Sequence, residues 1–84
     1  MLGVWPNPSP RDARVHLSLP QPGTVTLSLF DVRGRRVARQ EWRSLDPGPH
    51  ALKVPGNGTL APGLYFVEAR YDDVRAMRRL VVVR

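Results

Sequence analysis

The residues able to do chemistry are few and do not converge. His16 and His50 are the two histidines, there is no cysteine, and seven acids are spread over 84 residues. A metal site needs three or four His, Cys, Asp or Glu side chains aimed at one point. Neither histidine has an acid at ligand spacing, so no metal and no cofactor is expected. His50 alternates with Leu52 and Val54 in "PHALKVP", which places it at a sheet margin. Serines 9, 18, 28 and 44 lack the G-x-S-x-G turn that exposes a nucleophile. Asp72-Asp73 is a pair of carboxylates, but adjacent residues in a tight turn point apart, whereas catalytic acids must flank a substrate. "PGNG" has neither the lysine nor the strand–helix setting of a phosphate loop, and Asn57-Gly58-Thr59 is a three-residue glycosylation pattern in a loop. Nothing here assembles an enzyme.

The elements that would have to position such residues are strands. "RVHLSLP" puts Val15, Leu17 and Leu19 on one face, and "TVTLSLFDV" puts Val25, Leu27 and Leu29 inward with Thr24, Thr26 and Ser28 outward. Alternation with period two marks half-buried antiparallel strands. "RRVARQEW" reads as an edge strand protected by charge. "GLYFVEARY" divides Tyr65, Val67, Ala69 and Tyr71 from Leu64, Phe66, Glu68 and Arg70, and "VRAMRRLVVVR" closes the series. Pro22-Gly23, Arg33-Gly34, Pro47-Gly48, Gly56-Asn57-Gly58 and Pro62-Gly63 are expected to supply the positive φ and fixed φ of the reversals. Asp72-Asp73 fits a two-residue hairpin loop. Nine prolines and seven glycines leave no window for a long helix. Six or seven short strands at this spacing predict one all-β domain over residues 1–84, an immunoglobulin-like antiparallel sandwich. Gly63-x-Tyr65 stands where such domains carry a tyrosine that bonds back to upstream backbone; the alternative is a large core residue.

Twelve arginines and one lysine against seven acids give a net charge of +6. Only Arg33, Arg35, Arg36 and Arg39 cluster, and no run interleaves basic with aromatic residues, so nucleic acid is not an expected partner. No apolar run approaches the ~18–20 residues of a transmembrane helix. "MLGVWPNPSP" lacks the charged and apolar regions of a signal peptide, so any export signal of that kind belongs to a longer parent chain.

Taken in order, these pieces resemble the C-terminal sorting domains of the type IX secretion system (Por secretion type A) of the Bacteroidetes and their relatives. "VWPNP" is similar to the family's V-x-P-N-P opening, and residues 15–37 to its strand, Leu-Pro, strand, aromatic-Asp-x-x-Gly-Arg run. "LDPGPHALKV" carries Gly48 and His50 two apart, and residues 60–84 resemble the closing Leu-x-x-Gly-aliphatic-Tyr strand with its basic-aliphatic tail. The motif positions are Pro6, Asn7, Pro8, Leu19, Pro20, Asp31, Gly34, Arg35, Gly48, His50, Gly63 and Tyr65. A related group, the immunoglobulin-like domain of the flagellar hook-capping protein, often has Trp-Asp-Gly where this chain reads "LKVPGNG".

The resemblance implies a non-catalytic secretion signal behind an upstream cargo domain. It implies recognition in the periplasm by the outer-membrane translocon, cleavage by a sortase-like peptidase, and delivery to the cell surface or beyond. An immunoglobulin-like accessory, spacer or binding module of a multidomain secreted enzyme is the alternative. Translocon recognition is assigned to the last strand: Arg75, Arg78 and Arg79 for steering, Leu80, Val81, Val82 and Val83 for apolar contact, with Arg84 beyond them. "LVVV" equally suits a strand that completes the core, and the two roles are compatible. Pro6 and Pro8 either stiffen a domain boundary or interrupt a first strand.

Overall fold

A computed structural model describes the backbone of residues 3–5 and, with side chains, residues 13–56 and 60–83. The expectations on Pro6, Asn7, Pro8, Ser9, Asn57-Gly58-Thr59 and Arg84 lie outside the described residues.

Seven strands follow one another: β1 (Gly3–Trp5), β2 (Arg14–Leu19), β3 (Gly23–Phe30), β4 (Arg36–Leu45), β5 (Gly48–Lys53), β6 (Gly63–Tyr71) and β7 (Val74–Val82). They form two antiparallel sheets, a three-stranded one in the order β1-β2-β5 and a four-stranded one in the order β4-β3-β6-β7. This is the all-β, immunoglobulin-like sandwich that the alternation predicts.

The core lies where the inward rows meet. Val15 from β2, Val25, Leu27 and Leu29 from β3, Val67 from β6 and Leu80 from β7 are all excluded from solvent, and Val54, just past β5, joins them. Each such side chain contributes roughly 1.5–3 kcal/mol by leaving water. Tyr65, Ala69 and Tyr71 pack against this cluster from β6, on the face the sequence assigned to them.

Among the described residues the strand β4 is an edge, as its arginines suggest, and it leaves its sheet by an irregular step. The pairing shifts between Gly23↔Leu45 and Val25↔Trp42, and Ser44 adopts φ +57° there. An extra residue at such a bulge bends the strand, and after Asp46 and Pro47 the chain enters the other sheet as β5. At the far end Asp72-Asp73 forms the expected two-residue loop, flanked by the pair Tyr71↔Val74, with φ +52° at Asp72.

Two expectations change. Ser28 points away from the core, as predicted, yet is only 5% exposed. It stands between Arg39 on β4 and Glu68 on β6, whose long side chains flank it in the sheet. Gly23 does not adopt positive φ. It is glycine for want of space: a Cβ there would run into the Tyr71 ring.

Candidate recognition strand and its supports

The strand β7 pairs with β6 and, among the described residues, ends the four-stranded sheet. Its anchor is at the C-terminal half, where Leu80 is fully buried and Val82 is 7% exposed, both facing the core. Nearby, β1 lies against β7. Towards the hairpin the cover ends. Ala76 is half-buried, Arg78 is exposed, and an open apolar seam runs between Leu17 and Leu19 on one side and Ala69 and Ala76 on the other.

The period of two sorts the tail residues. Arg78 lies opposite Val67 and so on the core-facing side of the sheet, yet it is exposed. Arg75, Met77, Arg79 and Val81 lie on the outer face, opposite Arg70, Glu68, Phe66 and Leu64. The arginines therefore do not form one basic patch. Arg75 is drawn to Glu68, with Nε 3.7 Å from the carboxylate. Arg78 Nη1 donates to the Met77 carbonyl oxygen at 2.9 Å. In an antiparallel ladder that starts from the Tyr71–Val74 pair, the Met77 carbonyl points away from β6. Arg78 thus covers an acceptor on the strand's outer edge, and an inward-side charge on an edge strand is a known guard against stray pairing.

Several of the motif residues that the sequence singled out fix turns and crossings elsewhere in the sandwich. Asp31, at the end of β3, accepts the N–H of Arg33 at 2.9 Å and of Arg35 at 3.0 Å, and also Arg35 Nε at 3.1 Å. The Gly34 N–H closes on the Asp31 carbonyl at 3.0 Å, and Gly34 takes φ +84°, which a side chain would resist. The Arg35 N–H is the largest reason that the Asp31 carboxyl titrates below its ordinary value of 3.8; partial burial opposes it, while the Arg33 N–H and the Arg35 guanidinium add to the lowering. The Asp-x-x-Gly-Arg run is thus a turn lock.

Tyr65 is the corner tyrosine: its hydroxyl donates to the Ala61 carbonyl oxygen at 2.7 Å while its ring packs on the core. His50 is half-buried at the sheet margin, and its Nε2 lies 2.6 Å from the Asp46 carbonyl oxygen. A carbonyl can only accept, so Nε2 carries the proton and is committed to the β4–β5 crossing. Leu19 is 4% exposed and closes the end of β2, with Pro20 in the bend that follows. Among the described residues no group of three His, Asp or Glu side chains is placed to hold a metal ion.

One support was missed by sequence reasoning. The Tyr71 ring lies over Gly23, and its hydroxyl donates to the Gln21 carbonyl oxygen at 3.0 Å. The end of β6 is thereby tied to the β2–β3 turn, and the hairpin that launches β7 is held at its base. Fifty residues separate the partners, so no local pattern announces them.

Comparison with curated proteins gave no significant match. A family model described as the secretion system C-terminal sorting domain matches residues 3–83, the whole sandwich from β1 past the end of β7. The chain belongs to this family, the C-terminal sorting domains of the type IX secretion system.

Proposed function

We propose that this domain is the last folded unit of a larger exported protein, and that β7 is the part of it that the outer-membrane type IX translocon reads. The family match carries this reading. The geometry of β7 makes it concrete. Leu80 and Val82 hold the strand in the core, while Arg75, Arg78, Arg79 and Val83 are exposed and Val81 is half-buried. Positive side chains around an apolar strand end steer towards an acidic receptor, and the apolar residues then supply contact. In this account the cargo domain upstream crosses the periplasm with the sorting domain folded behind it. A sortase-like peptidase removes the domain as the cargo reaches the surface. The domain acts as an address and performs no chemistry. Export of a periplasmic reporter fused ahead of residues 1–84 tests the reading; a spacer module would leave the fusion intact and inside.

A further inference from the structure

The face of the four-stranded sheet turned away from the core carries a second feature. The register sets Arg36, Phe30, Phe66 and Arg79 side by side across β4, β3, β6 and β7. These residues are scattered in the chain, so the interleaving of basic and aromatic side chains exists only in the folded sheet. Phe30 and Phe66 are half-buried, and beside them Val32 is 63% and Met77 48% exposed. Phe30, Val32, Phe66 and Met77, with Gly34 and Asp31 at its side, line a shallow depression of ≈ 290 Å³. Contiguous apolar surface of this kind on a small domain marks a contact face.

The charges around it are mostly positive, Arg36, Arg39, Arg75 and Arg79 against Asp31 and Glu68. Of the neighbouring acids, Glu68 is engaged by Arg75 at 3.7 Å and Asp31 by Arg35 at 3.1 Å. Arg36 and Arg39, on β4, make no ion pair among the described residues. Aromatic and arginine side chains around an apolar centre are the composition of binding hot spots. The net charge of +6 disfavours a second copy of the same chain as the occupant.

We propose that this face docks an acidic protein surface with an apolar side chain at its centre, on the machinery that exports the domain. The proposal rests on the sorting function above and gives it a second contact, made by a folded face instead of a strand end. Docking needs the register of all four strands, so only a folded domain offers it. An unfolded tail would carry the arginines without the row.

Val32→Glu combined with Met77→Glu tests it, because both side chains are exposed and the thermal midpoint reports whether the fold survives. In a type IX-competent cell, export of a reporter fused ahead of residues 1–84 should fall at least about tenfold in this variant, as expected for loss of a hot spot. Ser18→Glu with Ala51→Glu makes the same change in charge on the outside of the other sheet and should export as the parent does. Normal export of the Val32/Met77 variant, or equal loss in the Ser18/Ala51 control, overturns the proposal. If the unmodified fusion stays inside, the sorting reading itself fails; if it is exported and the Val32/Met77 variant is too, only the docking face fails. Binding of a fluorescent oligo-dT strand by the purified domain, abolished by Met77→Glu, would assign the face to nucleic acid and would also overturn it.

Discussion

Arg78 and Arg79 are neighbours in sequence and face opposite ways, Arg78 across from the buried Val67 and Arg79 across from Phe66 on the outer face. The basic pair of the tail is therefore two devices. Arg78 covers the Met77 carbonyl at the sheet's edge, while Arg79 ends the row of side chains that begins at Arg36.

The edge role has a measurable consequence. Arg78→Ala uncovers the Met77 carbonyl and should promote self-association through β7, seen as a concentration-dependent rise in sedimentation coefficient. Arg79→Ala should leave the domain monomeric. Both should keep stability within about 0.5 kcal/mol, as surface substitutions do. Equal association of the two variants would remove Arg78's special place.

The contact of Tyr71 with Gly23 predicts a conditional cost. Gly23→Ala forces the ring aside and should lose about 1–3 kcal/mol, the usual effect of overpacking. In a Tyr71→Ala background the same change should cost little, because the obstacle has gone. A full cost in both backgrounds, measured by denaturant unfolding, would mean that Gly23 matters for its backbone and not for the ring above it.

These two relationships also mark the limits of what the sequence discloses. Strand identity was legible, because Val25, Leu27 and Leu29 alternate with polar residues, and the glycines at 34 and 48 supply positive φ where the chain reverses. Tyr65 as a corner was legible, since its acceptor lies four residues upstream. The opposite facing of Arg78 and Arg79 was implicit in the same period of two, but it is lost when adjacent charges are counted as a cluster. Gly23 under Tyr71, Ser28 between Arg39 and Glu68, and Phe30 beside Phe66 all depend on which strands are neighbours and in what register. Such facts are set by the long-range assembly of the sheet, which no local pattern encodes.

Asp31 should make stability depend on pH in a defined direction. Its carboxyl titrates below the ordinary 3.8 when folded. The stability it contributes is fully present above that ordinary value and is lost as pH falls through the lower, folded one. The thermal midpoint of the parent should exceed that of Asp31→Asn near neutral pH, and the gap should close in acid. A gap that persists to the lowest pH at which both fold would show that the ionised carboxylate is not what locks the turn.

The tail divides into anchor and display. Leu80→Ala should cost about 2–5 kcal/mol, as truncation of a fully buried leucine does. Val83, 38% exposed, should tolerate alanine within about 0.5 kcal/mol. Export by the Leu80 variant should fall with the fraction folded, so its loss alone says nothing of recognition. A Val83→Ala variant that keeps its midpoint but exports poorly would report recognition directly.

The most direct measurement of the central claim is the fate of a periplasmic reporter carrying residues 1–84 at its C-terminus in a type IX-competent cell. Protease accessibility of intact cells locates the reporter, and mass spectrometry of the product shows whether the domain is still attached. The account predicts a surface-exposed reporter that has lost the domain. A reporter retained in the periplasm at its full mass, with the sorting domain folded, would contradict it.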